Sequence, residues 1–198
     1  YTHCGENQLR GPNDIVFDKQ GGMYFTDLGK TRERDWDRTG IYYAKADGSY
    51  ITEVAYPMIT PNGTSLSPDE KTLYVAETWT GRLWAFELEA PGKVKKQPWP
   101  VPHGGRLVAN TSGFRNFDSL AVEAGGNICI ATLFDPGITV MTPDGSSVEH
   151  IPLAGDPYVT NICFGGADLK TAFITQSYYG NLLAVDWPRA GLPLNFLN

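Results

Sequence analysis

Ligands for transition metals are scarce in this chain. Only three cysteines and three histidines occur in 198 residues. Cys4, Cys129 and Cys163 are an odd number with no CxxC pair, so neither a disulfide framework nor a zinc ribbon is indicated. His3, His103 and His150 lie far apart and form no HxxxH pair, which argues against a histidine-rich metal site and leaves oxygen donors as the natural choice. Positive charge is short as well: 16 Lys and Arg face 22 Asp and Glu, for a net charge of −6. A nucleic-acid interface normally shows a basic stripe, and "KVKK" at 93–96, the one basic cluster, reads as a solvated loop. No apolar run approaches the roughly 18 residues that a bilayer span needs. The chain therefore reads as soluble, with no nucleic acid and no membrane among its partners and the cytoplasm slightly favoured.

What remains is the composition of a folded globular domain, with 41% apolar and 12% aromatic residues. Twenty-two glycines and 14 prolines favour many short strands and turns over long helices. Cys129 and Cys163 fall inside apolar strand patterns and read as small core residues.

A repeat organises the sequence. "NDIVFDKQGGMYFTD" from Asn13, "NGTSLSPDEKTLYVAE" from Asn62, "DSLAVEAGGNICIAT" from Asp118 and "TNICFGGADLKTAFIT" from Thr160 share one order: a polar head, an alternating run, a tight turn, then a strand rich in β-branched and aromatic residues. The heads are 49, 56 and 42 residues apart, the period of a propeller blade. A third strand opens each time on glycine, at Gly40, Gly81, Gly137 and Gly180. The first unit carries an insertion, "LGKTRERDWDR", before that strand. The expected fold is all-β: a β-propeller of four blades, each taking its outermost strand from the linking segment. A β-sandwich with fortuitous periodicity is the competing arrangement, and four matched registers count against it.

At "GPNDIVFDKQGGMYFTD", "PNGTSLSPDEKTLYVAE" and "FDSLAVEAGGNICIATL" the chain resembles the SMP-30/gluconolactonase/luciferin-regenerating-enzyme-like family. The likeness runs from about Leu9 to the C-terminus, where "GLPLNFLN" looks like the family's ending. It implies a six-bladed propeller that hydrolyses sugar lactones with one divalent ion in its central channel. Residues 1–198 are then expected to form a single propeller domain, the C-terminal two-thirds of such a ring. The N-terminal blades, with the family's early glutamate ligand, are expected to be missing. Glu6, in "CGENQLRG", matches the connector ahead of the first head and is no substitute.

In a propeller the innermost strand of each blade lines the axis, so residues at its start can converge although they are distant in sequence. The resemblance implies Asn62 and Asp118 as metal ligands, with Asn13 either ligating directly or binding substrate. Amide and carboxylate oxygens are hard donors that suit Ca2+; relatives also work with Zn2+, Mn2+ or Mg2+. Against this stands the ordinary habit of Asn and Asp at strand starts, which bond nearby backbone in Asx-turns. Asp14 is expected to be structural and to face away from Asn13, Asp27 and Glu77 to form turns, and Tyr178 and Tyr179 to line the channel mouth or pack within a turn.

The activity implied is hydrolysis of a sugar lactone, a small-molecule substrate, with Asp118 positioning the attacking water. An organophosphate hydrolase of the related propeller type and a non-catalytic truncated propeller are the alternatives. An open arc of four blades leaves two sheets without neighbours, which favours self-association.

Overall fold

The computed structural model describes residues 1–196 of the chain. A short hairpin, β1 (His3–Cys4) and β2 (Asn7–Gln8), precedes four antiparallel sheets. The first blade comprises β3 (Pro12–Phe17), β4 (Gly22–Asp27), β5 (Arg38–Lys45) and β6 (Ile51–Ile59), hydrogen-bonded in that order. The second holds β7 (Pro61–Leu66), β8 (Thr72–Glu77), β9 (Arg82–Ala90) and β10 (Lys93–Lys95), with β11 (Arg106–Asn110) also paired to β9. The third holds β12 (Asn116–Val122), β13 (Ile128–Leu133), β14 (Gly137–Met141) and β15 (Val148–Pro152). The fourth holds β16 (Val159–Gly165), β17 (Thr171–Gln176) and β18 (Asn181–Asp186). The expected all-β propeller arrangement of four blades is therefore present. In the first three blades the segment leading to the next blade supplies the outermost strand. No helix among the described residues is long and apolar enough to cross a membrane.

Alternation along each strand gives a sheet two usable faces, and consecutive blades bury them against one another. Tyr24, Tyr43 and Met58 of the first blade pack with Leu73, Trp84 and Phe86 of the second. Tyr74, Leu83 and Ala85, from the opposite face of the second blade, meet Phe117, Ile128 and Ile130 of the third. Ala131, Ile138 and Val140 meet Ile162, Ile174 and Trp187 of the fourth. These seams bring β3 onto β7, β7 onto β12 and β12 onto β16, so the four innermost strands stand side by side around one axis. Gly63 marks how tightly they approach. A Cβ there would lie 2.5 Å from the Asp118 carbonyl oxygen and 2.8 Å from the Leu120 nitrogen.

Among the described residues no core cluster joins the fourth blade to the first. Cys163 was expected in the core, and the structure corrects this: Cys129 is buried but Cys163 is exposed. The reason is position on the sheet. Ile162 points into the third seam, so its neighbour Cys163 takes the other face, in the row of Phe173 and Ala184, against which no blade packs among the described residues.

The segment after β18 crosses the end of the fan opposite the heads. Glu123, fully buried, accepts hydrogen bonds from Trp187 Nε1 at 2.8 Å, Arg189 Nε at 2.6 Å and Asn127 Nδ2 at 2.8 Å. Ala124 N donates to Ala190 O, and Leu192 N to Val122 O. Further along, Asn195 Nδ2 donates to Phe17 O and to Glu70 Oε1, reaching the first and second blades. The family-like ending "GLPLNFLN" thus forms a strap over all four blades as far as Phe196; Leu197 and Asn198 lie outside the described residues.

Gly63→Ala forces a methyl group between two innermost strands and should cost about 1–3 kcal/mol in urea unfolding, the usual range for overpacking. Burial pushes the Glu123 carboxyl upward, but its bonds to Arg189, Trp187 and Asn127 outweigh that and leave it below the ordinary glutamate value. A carboxyl lowered in the folded state stabilises at neutral pH, and that contribution is lost as pH falls from the ordinary glutamate value through the lower folded one. The thermal midpoint of Glu123→Gln, followed from pH 7 to pH 3, should start lower than that of the native chain and decline less.

Candidate metal centre at the heads of the innermost strands

Every innermost strand carries one extra residue at its head. Pro12 pairs with Asp27 and Ile15 with Phe25, which leaves Asn13 and Asp14 opposite Thr26 alone. Pro61 pairs with Glu77 and Thr64 with Val75, so Asn62 and Gly63 share Ala76. Phe117 pairs with Thr132 and Leu120 with Ile130, so Asp118 and Ser119 share Ala131. In the fourth blade Thr160 is the extra residue between the pairs Val159 with Gln176 and Asn161 with Thr175. A bulge of this kind kinks the strand and re-aims its side chains. Four bulges in register put Asn13, Asn62, Asp118 and Thr160 at equivalent places on the channel wall.

Asn62 is 4% exposed. Its Nδ2 donates to Thr78 Oγ1 at 3.1 Å, while its Oδ1 is buried without a hydrogen-bond partner. A buried acceptor left unpaired is costly, and the ordinary Asx-turn role does not account for it. Asp118 stands beside this amide. Its carboxyl is raised to about 6, chiefly by burial and a little by the charge of Asp14, against the opposing pull of the Asn62 side chain and the Ser119 N–H. Asn13 is exposed, and among the described residues no hydrogen bond joins its side chain to Asn62 or Asp118. The structure thus brings two of the three expected residues into contact and leaves the third on the same wall.

Asp14 has the structural role expected of it and a second significance that strict alternation did not reveal. It accepts hydrogen bonds from Ile15 N at 2.9 Å and Thr64 N at 3.0 Å, joining the first blade to the second. Burial raises its carboxyl, against the pull of those two N–H groups and of the Ser119 side chain. Thr26 Oγ1 accepts from Asp14 N and donates to Asn62 O at 2.6 Å, so one hydroxyl fixes both bulges. The signal in the sequence was the residue after each head: Asp14, Gly63, Ser119 and Asn161 occupy one repeat position.

The remaining expectations resolve by position. Asp27 is buried and accepts from Gly29 N in its own turn, but also from Arg10 N and Gly11 N of the incoming connector. Glu77 accepts from Ile59 N, Thr80 Oγ1 and Trp84 Nε1. The insertion at 28–38 lies at the head end, pinned by Arg32 to Asp35 and Asp37, with Trp36 exposed. Tyr178 and Tyr179 are exposed at that same end, their N–H groups held by Asp156. With Phe114, Phe134 and Tyr158 they form a run of touching rings, centroids 4.7–5.8 Å apart. The sequence reading missed this ridge, because its members come from four separate loops.

The matching model is that of the SMP-30/gluconolactonase/LRE-like region, and it covers residues 1–178. The chain belongs to this family. Among curated relatives, lactonase drp35 of Staphylococcus haemolyticus (strain JCSC1435) is 31% identical over 143 residues, 72% of this chain and 42% of that protein. Its counterpart in Staphylococcus saprophyticus is 32% identical over 146 residues, with the same coverage. Among solved structures, a gluconolactonase from Xanthomonas campestris superposes with a TM-score of 0.71 at 26% identity, over 98% of this chain and 60% of its own. Regucalcin from Agrobacterium tumefaciens, a calcium-binding protein, gives 0.73 at 20% identity over 94% of this chain and 65% of its own, a likeness of fold. The chain therefore spans less than half of the curated relatives and under two-thirds of these neighbours.

The residues present fit a hard cation. Among the described residues no group of three His, Cys, Asp or Glu side chains forms a metal cluster, so the donor set is mixed: the orphaned Asn62 carbonyl, the Asp118 carboxylate and the Asp14 charge nearby. No Lys or Arg of the described residues forms an ion pair with either aspartate. Oxygen donors with uncompensated negative charge suit Ca2+ better than a soft metal. Binding of 1 mM Ca2+ should raise the thermal midpoint of the native chain, through linkage of RT ln(1 + [L]/Kd). Asn62→Ala and Asp118→Asn should each abolish that rise, measured by differential scanning fluorimetry against a chelator control.

Proposed function

We propose that the chain is the larger part of a metal-dependent lactonase of the gluconolactonase type, acting on a sugar lactone or a similar small cyclic ester. The observation that carries this reading is the buried, unpartnered Asn62 carbonyl beside Asp118, at the bulged heads of a chain that belongs to this family. Relatives bearing the names lactonase and gluconolactonase support the reaction class. Residues 1–198 are read as the C-terminal two-thirds of a six-bladed ring, in keeping with coverage of 60–65% of the structural neighbours.

Asn62 and Asp118 would hold the ion, with Asn13 as a further ligand or as a donor to substrate. A divalent cation there supplies polarisation of the ester carbonyl and offsets the negative charge that develops on its oxygen. The other roles fall to the chain's own groups. Asp118 orients a water toward the carbonyl carbon and accepts its proton, and its burial makes it a stronger base than a solvated aspartate. Asp14 keeps the bulge rigid through Ile15 N and Thr64 N, so the head geometry is set before substrate arrives. Attack breaks the ring C–O bond, the proton passes to the departing ring oxygen, and the product is a hydroxy acid. The strap runs along the far end of the blades, and we place the route of substrate and product at the head end, past the aromatic ridge.

Proton release from a panel of aldonolactones, read with a pH indicator, tests the reading. With Ca2+ the native chain should hydrolyse at least one lactone, and excess chelator should stop it. Asp118→Asn should retain less than about 1% of turnover with metal saturating, the scale lost with a general base. Near-native turnover by that variant would overturn the role given to Asp118. Hydrolysis of P–F or P–O substrates in preference to lactones would favour the organophosphate alternative.

A further inference from the structure

Away from the heads, a cavity of about 300 Å3 opens in the seam between the first and second blades. It is built from the outer strand β6, the starts of β5 and β9, the end of β8 and the 100–103 segment, and no head residue lines it. Both flanking blades are present in this chain, so the cavity does not depend on an unfilled seam. Its floor is apolar: Met58 is buried, and the edge of the Trp84 indole and Val101 complete it. Its rim carries two exposed guanidinium groups, Arg38 and Arg82. Among the described residues neither lies within 4.0 Å of a carboxylate. Four of the six other arginines do bind an acid or a carbonyl: Arg32, Arg106, Arg115 and Arg189.

The wall between floor and rim contains Glu77 and His103. Both Glu77 oxygens already face inward donors, Oε1 the Ile59 N–H and Oε2 the Trp84 indole and the Thr80 hydroxyl. His103 is buried, its ring edge-on to Trp84 at 4.4 Å, with Nδ1 accepting from Gly105 N. Its burial keeps the imidazole below the ordinary histidine range, with Glu77 opposing and Arg82 reinforcing the shift, so it is neutral at pH 7. The formal balance of the lining is then two guanidinium charges against one carboxylate, a net of +1.

We propose that this seam cavity is a binding site for a small monocarboxylate with a flat apolar body. The body lies on Met58, Trp84 and Val101, and the carboxylate is met at the rim by Arg38 and Arg82. A guanidinium fork matches a carboxylate bidentately, and a net charge of +1 favours a monoanion over a phosphate dianion. The volume falls at the small end of ligand pockets, which suits a single ring better than an extended molecule. The assignment is independent of lactone chemistry at the heads.

Ligand-observed NMR and Trp fluorescence with benzoate, benzamide, phenyl phosphate and benzylammonium test it on the native chain. Benzoate should bind saturably at roughly millimolar concentration, with benzamide and benzylammonium at least about tenfold weaker. Arg38→Gln and Arg82→Gln, both at exposed positions, should each weaken benzoate without moving the thermal midpoint. Their effect should be absent for benzamide. Arg82→Glu should reverse the preference toward benzylammonium, an outcome that loss of folding cannot produce. Equal binding of benzoate and benzamide, no saturable benzoate signal, or tighter binding of phenyl phosphate would each overturn the proposal.

Discussion

One extra residue at the start of each innermost strand is the feature on which this structure turns. A regular antiparallel ladder would send alternate side chains to the two faces of each sheet, into the seams, and few toward the axis. The bulge breaks that rule at one place per blade, and the seams hold the four places level. The polar heads can therefore point into the channel while the apolar residues two positions on, such as Leu120 and Ile162, still fill the seams. Thr26 shows how closely the two requirements are joined, since a single hydroxyl bonds the backbone of one bulge and the head of the next.

The seams in turn constrain the heads. Gly63 follows Asn62 because the β7 backbone passes the β12 backbone closely enough to exclude a side chain. That approach sets Asn62 beside Asp118 across a blade boundary. It also accounts for the electrostatic character of the site: carboxylates brought together by backbone packing, with no lysine or arginine paired to them, are held at a cost that a bound cation offsets. Stability and function meet here, because the arrangement that would bind an ion is one the empty chain pays for.

The two ends of the fan do different things. At the head end, loops from separate blades carry exposed aromatic rings and the charged insertion. At the far end, the strap from Trp187 to Asn195 ties the blades together through Glu123, Phe17 and Glu70. The seam cavity under Arg38 and Arg82 is lined by the outer strands of two blades and by none of the head residues.

Architecture was legible in the sequence because it is a local and repeated property. The periods of the heads, the turn residues and the alternating strands are each written within about ten residues, and four copies reinforce one another. Asn62 and Asp118 stood out for the same reason, as polar residues at a repeat position where apolar ones are usual, and their reading as ligands came from the resemblance to the family. Asp14 was read only as structural, because a bulge is invisible to a pattern that assumes strict alternation. Cys163 was misplaced because the sequence shows an apolar strand but not which face of it has a neighbour. The aromatic ridge, the Glu123 strap and the seam cavity join residues from distant segments, such as Glu123 with Arg189 or Arg38 with His103. The sequence by itself determined what each blade is and which residues stand at its head; only the tertiary structure decided which of them touch, since seam packing, not order along the chain, sets distances between blades.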